Sequence, residues 1–319
     1  MRALLCLVPF LLLGCTSAPR GQAPPEQEAP AALSLFGEPL YAPELPADRR
    51  AELEANLEAA RLELEARPGD EEALIWYGRR LAYLGRYAEA IETFTEGLRL
   101  HPESARLLRH RGHRWITLRR FKLAQLDLKR AAQLVRGLPD EIEPDGAPNS
   151  FGIPRSTLKS NITYHLGLAY YLDGDLPNAL RSYRECLRYS QVNDDMLCAT
   201  THWYYMTLRR MGRDAEAAQL LGPIREDMEI LENHGYHRLL RMYQGALEPQ
   251  ELYDPDAEDS IESATVAYGV GNWWFYNGPG KRAFEVFGNI LAGDSWAAFG
   301  YIAAEADVSR YGPIFSPGG

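Results

Sequence analysis

The chain has 319 residues, of which 46% are apolar and 24% charged, with 18 Tyr and 6 Trp. Such a composition excludes a chain disordered throughout and allows a large core in one to three domains. The 44 acidic against 34 basic residues give a net charge of −10, which disfavours nucleic acid as a partner, and four cysteines are too few for a disulfide-built scaffold.

The N-terminus reads as an address. Arg2 precedes an almost purely apolar run, Ala3 to Leu13, which is too short to span a membrane permanently and has the form of a secretory signal. It ends in Leu12-Leu13-Gly14-Cys15. This tetrapeptide resembles the lipobox of bacterial lipoproteins. The resemblance implies cleavage before Cys15, acylation of Cys15 with diacylglycerol and a palmitate-type chain, and a place in the cell envelope. Thr16, where Asp would favour retention at the inner membrane, leans toward the outer membrane. Residues 1–14 are therefore expected to be a cleaved signal peptide. Residues 15–46, with Pro19, Pro24, Pro25, Pro30, Pro39, Pro43 and Pro46, are expected to be an extended tether.

The body starts at residue 47. Leu53, Leu57, Ala60 and Leu64 fall on one face of a helix over 47–66, with Glu on the other face. A pattern then recurs: a small or aromatic residue, Ala twelve positions on, and a bulky apolar residue four beyond. It occurs as Gly78, Ala90, Phe94; Gly112, Ala124, Leu128; Gly167, Ala179, Tyr183; Tyr205, Ala217, Leu221; and Gly271, Ala283, Phe287. Gly78 and Gly112 are 34 positions apart. With Gly85 breaking the first copy between two helices and Pro102 closing it, the pattern resembles the tetratricopeptide repeat, a helical hairpin. The resemblance implies an all-α superhelical solenoid of about five hairpins. The 47–66 helix caps one end and a helix over 295–308, with Trp296, Phe299, Ile302 and Ala303, caps the other. The solenoid is expected over 47–310, with 311–319 as a tail. Tyr205 replaces Gly in the fourth copy and predicts a looser hairpin there.

Two stretches interrupt the repeats. One lies near 137–157 and is rich in Pro and acidic residues, with Phe151 and Ile153 able to dock. The other lies near 225–262 and holds an amphipathic helix at 234–247 followed by an acidic segment. Each reads either as a connector or as a ligand-contacting loop. Cys186 and Cys198 flank the turn between the third and fourth hairpins; they pair as a disulfide in an oxidising envelope or stay as two small core thiols. Residues 105–136 are strongly basic, with Arg106, Arg109, Arg111 and Arg114 among ten cations opposed by Asp127. That hairpin reads as a site for an anionic partner, as a solvated face, or as a surface paired with the chain's own acidic loops.

Sequence motifs for catalysis are lacking: no Gly-x-Ser-x-Gly, no phosphate-cradling loop and no dinucleotide fingerprint occurs. His110 with His113, and His234 with His237, sit three apart but lack a third ligand, so no metal and no cofactor is expected and the chain reads as a non-enzyme. In tetratricopeptide proteins the first helix of each hairpin lines a concave groove. The resemblance places Arg79, Tyr83, Arg109, His113, Tyr164, Tyr171, His202, Arg209, Tyr268, Asn272 and Tyr276 there. Aromatic and cationic side chains suit a protein or peptide partner, an acidic segment being one candidate. The expected function is a membrane-anchored scaffold or adaptor. The alternatives are an enzyme built on the inserted loops, with His and carboxylates converging, and a glycan or lipid carrier with a closed apolar cavity.

Overall fold

The computed structural model describes residues 29–146, 149–278 and 280–315, with side chains as far as residue 312. The signal peptide and Cys15 lie outside the described residues. The chain enters through a short antiparallel pair, β1 (Ala32–Leu33) and β2 (Pro39–Leu40), with Ala32 opposite Leu40. Then follow α1 (Ala47–Ala66), α2 (Glu71–Tyr83), α3 (Tyr87–Leu100), α4 (Ala105–Thr117), α5 (Phe121–Leu134), α6 (Leu158–Leu172) and α7 (Leu176–Ser190). The remainder is α8 (Asp194–Arg210), α9 (Asp214–Leu220), α10 (His234–Tyr243), α11 (Pro249–Leu252), α12 (Ile261–Asn277), α13 (Gly280–Leu291) and α14 (Phe299–Phe315).

The repeat pattern dictates the packing. In four hairpins the glycine of the first helix meets the bulky residue of the second. A methyl group added at Gly78 would stand 2.4 Å from Phe94, and at Gly112 2.7 Å from Leu128. The same distance is 2.7 Å for Gly167 against Tyr183 and for Gly271 against Phe287. The matching alanines, Ala90, Ala124, Ala179, Ala217 and Ala283, are wholly buried. The ring of Phe94 also reaches the next hairpin, stacking on His110 at 5.7 Å. Turns use the left-handed backbone that glycine adopts freely, at Gly85, Gly174 and Gly212, while the equivalent turn between α4 and α5 uses Arg119 at φ 58°.

The fourth hairpin departs from the rule as Tyr205 predicts. Its second helix, α9, is only seven residues long. Tyr205 stacks on Tyr243 of α10, ring centroids 4.3 Å apart and nearly parallel. The second insertion is thus no loose loop: α10 packs between α8 and α12 as an inner helix of the solenoid.

Two expectations about the ends are corrected. The tether does not run free to residue 46. Ala32, Leu35 and Leu40 pack on the core, Leu35 donates its backbone N–H to Glu305, and Trp296 Nε1 donates to the Tyr41 carbonyl at 2.6 Å. Three apolar side chains within nine residues suffice to dock this segment despite its prolines. The closing helix continues past residue 310, so 311–315 belong to α14 and not to a tail. No helix among the described residues is long and apolar enough to cross a membrane.

Candidate functional site

The first helices of the hairpins line the concave face, and most of that face is filled by the chain itself. Helix α14 runs along it and contacts α6, α12 and α13. Its Glu305 is fully buried and takes hydrogen bonds from Arg119 Nε at 2.9 Å and Nη2 at 2.7 Å. Two residues on, the buried Asp307 pairs with Arg210 and accepts from the Tyr268 hydroxyl at 2.9 Å. Tyr268 and Tyr171 join hydroxyls at 2.8 Å, and Asn272 donates to Tyr171 at 3.0 Å. Arg210 donates to Asn272 as well, so the interior carries a connected polar network with its charges paired.

Helix α10 covers the neighbouring stretch. Tyr236 and Tyr164 share a hydrogen bond at 3.1 Å, and Tyr243 lies 3.2 Å from His202 Nδ1. Burial pulls the His202 pKa down to about 3, so this imidazole is neutral. Tyr164, Tyr171, His202, Tyr268 and Asn272 were expected to line an open groove; they are buried core residues instead. The reason is physical: rows of aromatic and polar inner-face groups are costly to leave half-desolvated, and α10 and α14 supply matching surface. Arg209 and Tyr276 are half-buried, with the guanidinium 4.4 Å from the ring centroid and 2.8 Å from Asp214.

Between α2 and α4 the face stays open. A pocket of about 120 Å³ is lined by Arg79, Ala82, Tyr83, Phe94, Arg109, His110, His113 and Arg114. The predicted residues Arg79, Tyr83, Arg109 and His113 all meet here. Arg79 approaches the Tyr83 hydroxyl at 3.5 Å and lies over the Trp76 ring at 4.3 Å. Arg114 faces the Tyr87 ring at 5.6 Å. Neither makes an ion pair among the described residues. Arg109 donates to His110 Nδ1 at 3.0 Å and pairs with Glu143 at 3.1 Å, while its buried Nε has no hydrogen-bond partner. Burial, and then the neighbouring arginines, push His110 and His113 well below their usual pKa, so both rings are neutral. His113 packs against His165 at 4.4 Å and against Phe299 of α14 at 5.3 Å, which marks where the filled part of the face begins.

A family model described as tetratricopeptide repeat matches residues 71–113, the first hairpin and the first helix of the second. The contact of a glycine with a bulky side chain found in that hairpin recurs in three others. The chain has the tetratricopeptide-repeat fold. Among solved structures it is similar to a tetratricopeptide repeat protein from Parabacteroides merdae, at 15% identity over 76% of this chain and 88% of that one, TM-score 0.45. It is also similar to YrrB, titled a TPR protein with an unusual peptide-binding site, at 14% identity over 74% and 92%, TM-score 0.42. MamA from Desulfovibrio magneticus RS-1 gives 20% identity over 54% and 83%, TM-score 0.41. No curated protein matches the chain.

In this tetratricopeptide solenoid the two insertions meet. Asp195, at the start of α8, accepts from Arg155 at 2.8 Å and from the backbone N–H groups of Leu231, Glu232 and Asn233. Burial alone would raise this carboxyl, but the three N–H donors and Arg155 hold it below its usual range. Asn149 adds a bond to Glu232 at 3.1 Å. The first insertion also returns to the basic hairpin: Glu143 bonds Arg109 and Asn161, and the Gly146 carbonyl accepts from Arg80 at 3.2 Å. Arg106 pairs with Glu72 and Arg111 with Asp127. Among the described residues, six of the ten cations in the basic run pair with carboxylates of the chain, and the sequence alone does not reveal that Arg114 of that run, and Arg79 ahead of it, line the pocket without one. Among the described residues no group of three or more His, Cys, Asp or Glu could hold a metal ion.

The disulfide reading is corrected. Cys186 and Cys198 are both free and buried. Cys186 lies 3.3 Å from Thr200 Oγ1 and 3.5 Å from Ser190 Oγ, whereas Cys198 turns away to Met228 at 3.9 Å. Facing helices do not ensure facing side chains; these two residues point to different sides of the α7–α8 contact. Burial pushes the Cys198 thiol up to about 12, aided by Asp194 and Asp195, so it is inert as a nucleophile.

Proposed function

We propose that this chain is a lipid-anchored scaffold of a bacterial envelope, placed by Cys15 on the outer membrane, which holds a protein or peptide partner at the open end of its concave face. The observation that carries the reading is the contrast on that face. Inner-face groups from α6 onward are covered by α10 and α14, whereas Arg79, Tyr83, Arg109 and Arg114 remain around a pocket. Tyr offers contact area at low entropy cost and Arg offers directed hydrogen bonds, which is the usual chemistry of a protein-binding hot spot. The sequence Leu12-Leu13-Gly14-Cys15 supports the anchor, since acyl chains on one cysteine hold a protein stably only when more than one is present.

Two measurements test this. Labelled palmitate should enter the wild-type protein in cells and not the Cys15→Ala variant; equal labelling rejects the anchor. Crosslinking in intact cells should capture a defined protein with wild type and lose it with Arg79→Glu combined with Tyr83→Ala. Capture that persists in the variant removes the open pocket from the function.

A further inference from the structure

We propose that the pocket between α2 and α4 is a binding site for a phosphate group, free or carried as a monoester. This rests on reading the open end of the concave face as a binding site, and it names the chemistry that site accepts. The first observation is donor convergence. Arg79 comes from α2, Arg109 and Arg114 come from α4, and all three line one pocket of about 120 Å³ together with Tyr83. That volume admits one compact group and excludes a folded-over chain.

The second observation is how little these donors are used. Arg79 meets a tyrosine hydroxyl at 3.5 Å, an indole face and the backbone at Gly146 but pairs with no carboxylate among the described residues, Arg114 meets an aromatic face, and Arg109 keeps a buried Nε without a partner. Half-buried guanidinium groups elsewhere in the interior are paired, Arg111 with Asp127 and Arg210 with Asp307. A buried cation without an acceptor is costly. A ligand that supplies acceptors would recover that cost.

The third observation separates phosphate from carboxylate. A carboxylate offers two oxygens, and one guanidinium fork can engage both of them in a bidentate pair. Two guanidinium groups without a carboxylate, Arg79 and Arg114, and the unpartnered Nε of Arg109, brought from two helices to one pocket with the Tyr83 phenol, match a group presenting three oxygens around one centre. The flanking carboxylates do not fill this role. Glu143 engages Arg109 from outside the lining and is itself shared with Asn161 at 3.1 Å. Asp145 makes no ion pair among the described residues, and burial, ahead of the pull of Arg79, raises its pKa. Three guanidinium groups against these two carboxylates leave the site positive. Both neutral imidazoles, His110 and His113, add ring edges that do not compete with the arginines for charge.

The experiment is isothermal titration of the purified full-length chain in detergent with inorganic phosphate, glycerol 3-phosphate and acetate at equal ionic strength. Saturable one-to-one binding of at least one phosphate species is expected, with acetate at least tenfold weaker. Tighter glycerol 3-phosphate identifies an esterified ligand; tighter inorganic phosphate identifies the free anion. Arg114→Gln and, separately, Arg79→Gln should weaken binding at least tenfold, while Arg130→Gln, outside the pocket, should not change it. Melting curves confirm that each variant is folded, and Arg79→Gln serves if Arg114→Gln is not. Absence of saturable phosphate binding, equal acetate binding, or binding unaltered in both pocket variants overturns the proposal. A partner captured in cells without phosphate binding would refute the phosphate chemistry alone and leave the scaffold reading standing.

Discussion

The two halves of the concave face carry similar residues and meet different fates. At the α2–α4 end, arginines and a tyrosine surround a pocket and two of the guanidinium groups lack a carboxylate. From α6 to α12, aromatic and polar groups of the same kind are closed over by α10 and α14; Arg210 there is paired with Asp307, and α14 also reaches Arg119 of the α4–α5 turn through Glu305. A repeat pattern therefore settles which side chains face inward, but not whether they meet solvent, a partner or the chain itself. What decides is two carboxylates on one helix, placed where they can neutralise Arg119 and Arg210.

The sharpest way to break that contrast is to remove a carboxylate. In Glu305→Ala the buried Arg119 keeps its charge and loses its partner, which costs about 3–5 kcal/mol for a buried pair. Arg119 also holds a left-handed backbone that a non-glycine residue pays for, at φ 58°. The side chain is retained there because it reaches Glu305 and the Trp296 carbonyl at 2.9 Å. Urea unfolding should show a midpoint far below wild type; a loss under about 1 kcal/mol would mean that α14 is not locked by this pair.

Next in size is the glycine contact that repeats along the solenoid. Gly167→Ala would press a methyl group onto Tyr183, 2.7 Å away, and overpacking of this kind costs about 1–3 kcal/mol. Gly288 in α13 has nothing within 4 Å, so Gly288→Ala should stabilise by about 0.5–1 kcal/mol. Opposite signs for two helical glycines in one urea series would show that packing, and not helix propensity, fixes the repeat. Equal signs would refute that.

Acid should act on both regions. His110, His113, His165 and His202 all have folded pKa values below the ordinary 6.5, chiefly because burial disfavours the charged ring. The unfolded chain takes up these protons first. Stability is therefore fully present above pH 6.5 and falls as pH drops below it, by up to about 1.4 kcal/mol per pH unit for each ring. For His202 the decline should continue to about pH 3, its folded value. His202→Gln should remove one proton's worth of slope from the urea midpoint between pH 6.5 and 4; an unchanged slope would show that His202 is protonated in the native state.

Much of the fold could be read from the chain because the repeat is written in contacts of fixed spacing. Gly78 with Phe94 and Gly167 with Tyr183 are sixteen residues apart in sequence and touching in space, so periodicity reports them directly. The same logic gave the caps, since Leu53 and Ile302 lie on one face of their helices and both are buried. The site was less legible because it depends on distant pairings without a period. Glu305 and Asp307 stand in an otherwise apolar segment, Ile302-Ala303-Ala304-Glu305-Ala306-Asp307-Val308, and charges in such a run are the one available sign that their helix faces cations and not solvent. Nothing local says which arginines they meet. Arg114 was one cation among ten until Arg106 and Arg111 were seen paired with Glu72 and Asp127 and Arg114 was seen in the pocket beside Arg79 and Arg109.

The smallest effect is the one that sharpens the contrast most. If the α2–α4 end is kept open for a ligand, its cations contribute little to the unliganded fold. Arg79 contacts the Trp76 ring at 4.3 Å and the Tyr83 hydroxyl at the edge of hydrogen-bond range. Removing such a half-exposed cation–π contact costs about 0.5–1 kcal/mol, so Arg79→Gln should shift the urea midpoint only slightly. Arg210→Gln strips the charge partner from the buried Asp307 and should cost several times more. A large loss from Arg79→Gln would mean that this arginine braces the first hairpin as Arg210 braces the fourth, and the open end would then be part of the core, with no residue held in reserve for a partner.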